Sequence, residues 1–166
     1  TNSIQLAIDE INAAGGILGA TVKLSTKDDQ GTPAEAVSGF NSLLSEGASA
    51  IIGATLSSCT SAITSLADDE GIVLVTPSST ADSITTKDDY VFRSCFKDSF
   101  QGEMVAAYAK DQGWTKAAVL YATGDTYSSG LHDSFVKAAE KYGIDIMGFH
   151  ILLDDEDLSL IHISEP

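Results

Sequence analysis

The residues best placed to do chemistry lie in two hydroxyl-rich turns. One is Ser57-Ser58-Cys59-Thr60, and the other is Thr76-Pro77-Ser78-Ser79-Thr80. Serine and threonine hydroxyls both donate and accept, so a cluster of them can hold a carboxylate and an ammonium together without bulk charge. Backbone N–H groups at a helix start near Ser58, with the positive end of its dipole, would add donors for the carboxylate. A nucleophilic Ser57 would need a Gly-x-Ser-x-Gly elbow and a positioned histidine. Its flanks are Leu56 and Ser58, and His132, His150 and His162 are scattered. The strings GATLSSC and ATGDTYSSG lack the Gly-x-x-x-x-Gly-Lys pattern of a phosphate loop and the dinucleotide fingerprint. Cys59 and Cys95 are too few and too far apart for a zinc site, and both a disulfide and two buried free thiols remain open for them. Asp154 to Asp157 has no calcium-loop spacing and reads as a solvated turn, while Asp68, Asp69 and Glu70 read as the exposed end of a helix. No catalytic set, metal set or cofactor is expected. These turns read as a binding surface rather than the centre of an enzyme. Ser57, Ser58 and Thr60 serve equally well as helix caps or as ligand contacts, and capping is kept for Ser58.

Two parallel strands must set these turns side by side. The apolar runs Ala50-Ile51-Ile52-Gly53 and Ile72-Val73-Leu74-Val75 each end at one of them. In an open α/β sheet, ligands bind at the carboxyl edge of the strands. Around this pair the chain alternates strand and helix. A helix capped by Asn2 or Ser3 runs to Gly15-Gly16, and Thr21 to Thr26 alternates as a strand. Thr32-Pro33-Ala34-Glu35 opens a helix ending at Gly47. Strand Ala48 to Gly53, helix Ser58 to Glu70, stop Gly71 and strand Ile72 to Val75 follow. Asp82 to Asp89 is polar and turn-rich, and Tyr90 to Ser94 is a short strand. Asp98-Ser99-Phe100-Gln101 is a second capping box, starting a helix that runs to Gly113. Strand Ala117 to Ala122, helix Thr126 to Tyr142 and strand Ile144 to Leu153 complete the pattern. This is an α/β chain with mostly parallel sheets and helices on both faces. Arg93, the sole arginine, ends a strand and is expected to pair with Asp98 or another carboxylate near a lobe boundary at Lys97 and Asp98.

The chain has 166 residues, 43% of them hydrophobic, enough for one domain or two small lobes with a core. Nine basic residues against 24 acidic ones, net −15, argue against nucleic acid and anionic membrane surfaces as partners. The acidity otherwise reads as solubility. No apolar run is long enough to span a bilayer, and no signal peptide precedes the first helix pattern. Both ends look cut: the chain opens on a helix, where an α/β lobe usually opens on a central strand. It closes on LSLIHISEP, residues 158–166, which resembles translated sequencing-adapter DNA and reads as a non-native tail.

Together, NSIQLAIDEINAAGGILG, DDQGTPAEAV, IIGATLSSCTSAI, DEGIVLVTPSST and FRSCFKDSFQGEMVA resemble the branched-chain amino acid binding proteins of ABC transporters. These are type I periplasmic binding proteins, also called extracellular ligand-binding receptors. The likeness runs from about Asn2 to Asp157 and rests on the order and spacing of the motifs. It implies two α/β lobes joined by crossover strands and closing on the ligand by hinge motion. Residues 1–97 would be lobe one without its first strand, and 98–157 the start of lobe two. The resemblance assigns Ser57 to the ligand carboxylate and Thr80 to carboxylate and ammonium. It has Ser78 and Ser79 contribute backbone groups, and Tyr127 close over the ligand from lobe two. The acidic residue that usually pairs with the ammonium would lie beyond these residues.

The expected function is capture of an amino acid, in the first place a branched-chain one, for an ABC permease. The protein would be a periplasmic or extracellular monomer. Two other readings stand beside it: a sensing lobe of a receptor or regulator with the same fold, and a flavodoxin-like or hydrolase α/β enzyme.

Overall fold

A computed structural model describes residues 1–86 and 90–152, with side chains described through residue 147. The end of the polar turn at 87–89, the acidic cluster, the tail at 158–166 and His162 lie outside the described residues. In chain order the elements are α1 (Asn2–Ala13), α2 (Pro33–Ser45), β1 (Ala50–Ile52), α3 (Ser57–Ser61), α4 (Thr64–Glu70) and β2 (Val73–Thr76). A 3₁₀ turn (Asp82–Thr85), β3 (Val91–Arg93), α5 (Asp98–Asp111), β4 (Lys116–Thr123), α6 (Thr126–Tyr142) and β5 (Asp145–Leu152) follow.

Two parallel sheets result. β1, β2 and β3 form one with β2 in the middle, where Ile51 pairs with Leu74 and Leu74 with Val91. β4 and β5 form the other, in register from Lys116 with Asp145 to Thr123 with Leu152. Side chains alternate across a strand, so Ile51, Leu74 and Val91 share one face. There they meet Ala36 and Phe40 of α2, Cys59 of α3, Ala67 of α4, and Ile63 and Ile84 in one buried cluster. Residues of the opposite parity, Ile52 and Phe92, stay 56% and 50% exposed. A second, smaller cluster of Ala109, Ala139 and Ile144 lies under the second sheet.

Local signals act where the sequence places them. Thr32 Oγ1 accepts from Glu35 N at 3.4 Å, and Pro33 fills the first helical position, where its missing N–H costs nothing. Gly71 closes α4 at φ 64°, a left-handed conformation that costs glycine no Cβ strain.

Four expectations about elements are overturned. Thr21 to Thr26 forms no strand, although Val22 and Leu24 are half-buried and alternate as expected. Both backbone groups of Val22 are taken by the Asn12 side chain, at 2.8 and 2.9 Å, in place of a ladder partner. The helix expected from Ser58 to Glu70 breaks into α3 and α4. Thr60 Oγ1 bonds back to Leu56 O at 3.1 Å and Thr64 Oγ1 to Ser61 O at 3.2 Å, competing with the helix ladder around β-branched Ile63. α1 starts one residue earlier than a cap at Asn2 or Ser3 requires: Thr1 holds the cap position and makes no side-chain bond. Asp98 likewise lies inside α5 rather than capping it. The capping carboxylate there belongs to Asp82, which accepts from Ser99 N at 2.9 Å and Ser99 Oγ at 2.7 Å.

Candidate ligand-binding site

The register of β1 against β2 sets the ends of both strands side by side, and the two turns leave from there. They are stitched through one carbonyl. Ala54 O accepts from Thr76 Oγ1 at 2.9 Å, Thr60 Oγ1 at 3.1 Å and Ser79 Oγ at 3.3 Å. Thr60 and Ser79 share a hydroxyl–hydroxyl bond of 2.6 Å, and Ser79 N donates to Thr76 Oγ1 at 3.1 Å. Exposed Ser78 donates to Thr55 O at 2.8 Å. Ser57 is buried, and its Oγ accepts from Ala81 N at 3.4 Å, which ties α3 to the second turn. That bond uses a lone pair and leaves the Ser57 proton available to an acceptor.

Ser57, Ser78, Ser79 and Thr80 thus lie together at one sheet edge. The hydroxyls of Ser78 and Ser79 are engaged internally. Thr80 is different: the residue is 7% exposed, and its Oγ1 faces the Asp98 carboxylate without a well-aligned hydrogen bond. Two details correct the sequence reading. Ser58 makes no capping bond, since Leu56 holds the cap position of α3 without a side-chain contact. α3 itself spans five residues, too short to supply the helix dipole expected there.

Tyr127 stands in the first turn of α6, 41% exposed. Asp125 caps that helix through Ser128 N at 2.7 Å, and α3 lies near α6. Among the described residues no hydrogen bond or ring contact joins Tyr127 to the hydroxyl turns.

Arg93 forms no ion pair with Asp98. Its guanidinium donates to Ser79 O at 3.2 Å, Ala81 O at 2.9 Å and Thr85 Oγ1 at 2.8 and 3.0 Å. Three oxygens of the second turn and the 3₁₀ turn converge on it, so the cation fixes the rim instead of neutralising a carboxylate. Cys59 and Cys95 are both free thiols. Burial, with Asp29 nearby, raises the Cys59 pKa and keeps that thiol protonated. Among the described residues no cluster of histidine, cysteine or acidic side chains could hold a metal.

Sequence reasoning missed Asp98, reading it as a helix-start residue; nothing local distinguishes it from one. It is 1% exposed, and neither carboxylate oxygen has a geometrically sound hydrogen-bond partner. Its backbone N donates to Thr80 O at 3.0 Å, which sets α5 directly against the second turn. Burial pushes its pKa up. The Thr80 hydroxyl and the Arg93 charge pull it down, and Asp82 and Asp125 push it further up.

Residues 1–159 match the family model described as periplasmic binding protein, and the chain belongs to that family. It is 32% identical over 162 residues to a Leu/Ile/Val-binding protein of Rhizobium johnstonii, covering 96% of this chain and 44% of that one. Among solved structures, a leucine binding protein LivK from Thermotoga maritima superposes with a TM-score of 0.85 at 29% identity, over 93% of this chain and 45% of that one. The branched-chain amino acid transporter substrate binding protein LivJ from Streptococcus pneumoniae, in complex with isoleucine, gives 0.84 at 33% identity, over 95% and 45%. The fold is that of type I periplasmic binding proteins. The chain spans less than half the length of these relatives.

Proposed function

We propose that this chain is the ligand-capturing part of an extracytoplasmic solute-binding protein, which delivers a branched-chain amino acid to an ABC permease. The observation that carries this is the rim at the β1 and β2 ends. There Ser57 keeps a proton to give, with the buried Thr80 hydroxyl close by, over a scaffold in which Thr60, Thr76, Ser78 and Ser79 bond to the turn carbonyls. Such a rim suits a zwitterion, whose two ends need donors and acceptors but no net charge. Ser57 holds the carboxylate, Thr80 both ends, Ser78 and Ser79 contribute backbone groups, and Tyr127 closes over the ligand. Relatives whose names carry leucine, isoleucine and valine support the ligand class.

Residues 1–97 form the lobe that captures, and residues from 98 begin the lobe that closes. Closure follows from tighter binding to the closed state than to the open one. The protein works as a monomer and catalyses nothing.

Calorimetric titration with leucine, isoleucine and valine tests this, on a protein of the relatives' length that carries this chain. Ser57→Ala and Thr80→Ala should each weaken binding by about 1.5–3 kcal/mol, the worth of a hydrogen bond to a charged group. Unchanged affinity in both variants removes these residues from the site.

A further inference from the structure

The fold gives the guanidinium of Arg93 only neutral oxygens: Ser79 O at 3.2 Å, Ala81 O at 2.9 Å, and Thr85 Oγ1 at 2.8 and 3.0 Å. We propose that Arg93 is a positioning residue for the ligand. It turns the peptide between Ser79 and Thr80 so that the Thr80 N–H faces the cleft, and it polarises that peptide toward the ligand carboxylate. This rests on the amino-acid reading above and adds to it a residue that never touches the ligand.

Three successive peptides carry the argument. The middle one, between Thr80 and Ala81, is engaged at both ends. Its oxygen accepts from Asp98 N at 3.0 Å, and its N–H, on Ala81, donates to Ser57 Oγ at 3.4 Å. The peptides on either side are gripped by their oxygens, with Nη1 of Arg93 on Ser79 O and Nη2 on Ala81 O. A trans peptide points its N–H opposite to its C=O. Ser79 O is drawn to Arg93 and to the Cys95 thiol, at 3.5 Å, so the Thr80 N–H is turned away from both. That N–H meets no acceptor among the described residues, an uncommon state for a backbone donor in a buried residue. The next amide along already rests on Ser57 Oγ, so a carboxylate held by Ser57 lies one peptide away.

Neutral oxygens need a donor but not a cation, and a half-buried charge costs desolvation. Among the described residues no carboxylate forms a salt bridge with Arg93. Its charge has a use through the peptide. A carbonyl that accepts from a cation is polarised, and the N–H of the same peptide becomes a stronger donor. The planar fork of the guanidinium spans two carbonyls and a hydroxyl at once, which the single ammonium of a lysine cannot reproduce.

The test uses a protein of the relatives' length, as wild type, Arg93→Met, Arg93→Lys and Thr85→Val. Calorimetry measures leucine binding, and NMR follows the Thr80 amide proton without leucine and at saturating leucine. Arg93→Met loses the charge and the donors. It should bind leucine about 10- to 100-fold more weakly, the range for a hydrogen bond to a charged group. Arg93→Lys keeps the charge without the fork and should fall between. Thr85→Val removes an anchor of the guanidinium and touches neither carbonyl, so it should weaken leucine in the same direction by less. Saturating leucine should move the wild-type Thr80 amide proton downfield, and that displacement should shrink in all three variants.

Unchanged leucine affinity in Arg93→Met overturns the proposal. So does a variant that binds weakly yet shows the wild-type Thr80 displacement at saturation, the result expected if Arg93 merely stabilises the fold. If Arg93→Met does not fold, Arg93→Lys and Thr85→Val carry the same comparison. A wild type that binds leucine with its Thr80 amide proton unmoved defeats this inference alone. One that binds no branched-chain amino acid defeats the functional reading, and this inference with it.

Discussion

A carboxylate buried without a partner holds its proton in the folded chain at a pH where the unfolded chain has released it. Asp98 is in that position, raised above its ordinary value of 3.8 chiefly by burial, with Thr80, Arg93, Asp82 and Asp125 around it. The sign follows from linkage. Over the interval between the unfolded and folded pKa the native state binds more protons, so its stability falls as pH rises, and above the folded pKa the loss is complete. Asp98→Asn cannot ionise and escapes this loss. Urea unfolding from about pH 4 to about pH 7 should therefore show the variant gaining on wild type as pH rises. A constant difference across that range means that Asp98 does not titrate abnormally.

Asp98 is held in place by two contacts at the level of elements. Asp82 caps α5 from the neighbouring 3₁₀ turn, and Asp98 N donates to Thr80 O. Further along, α5 crosses α6 with almost no space between backbones. A Cβ at Gly102 would lie 2.6 Å from Phe135 N and Ser134 C. Alanine is the better helix former by about 1 kcal/mol, yet the overlap involves backbone that cannot swing aside. Gly102→Ala should therefore destabilise the chain by about 3 kcal/mol, at the upper end for overpacking. Chemical denaturation measures this; a variant as stable as wild type, or more so, would show that the helices separate freely at this crossing. The Lys141–Glu103 pair at 2.5 Å spans the same two helices. It is exposed, and pairs of that kind contribute little.

Across the whole molecule the net charge of −15 sets the balance. Salt bridges among the described residues are few: Lys27 with Glu46, Lys141 with Glu103, and His132 with Asp133 when the imidazole is protonated. Most of the acidic excess repels itself, and such repulsion weakens the compact state. Salt shortens its range to about 10 Å at 0.1 M. The melting temperature should accordingly rise between low salt and about 0.15 M sodium chloride. A fall would mean that attractive pairs outweigh the repulsion. No helix among the described residues is long and apolar enough to cross a membrane.

Some features were legible in the sequence because they depend on near neighbours in the chain. The cap at Thr32-Pro33, the stop at Gly71, the bounds of α6 and the apolar runs of β1 and β2 follow from local propensity and periodicity. The hydroxyl turns at the strand ends were visible for the same reason, once two parallel strands were expected. Thr21 to Thr26 shows where that logic stops. Its alternation is real, but a strand needs a partner, and Asn12 from α1 takes the backbone groups that a partner would use. Arg93 shows the same limit for charge: composition suggests a carboxylate, and the folded rim offers it three neutral oxygens. Asp98 reads as an ordinary helix start because the sequence gives no sign of how deeply α5 sits against Thr80 and beneath Gly130 of α6. Residue types and spacing by themselves determined the α/β alternation and the two hydroxyl turns. Only the tertiary structure decided which hydroxyls bond one another, which remain free, and which carboxylate stands unpaired beside them. Burial and hydrogen-bond satisfaction depend on contacts between residues far apart in the chain.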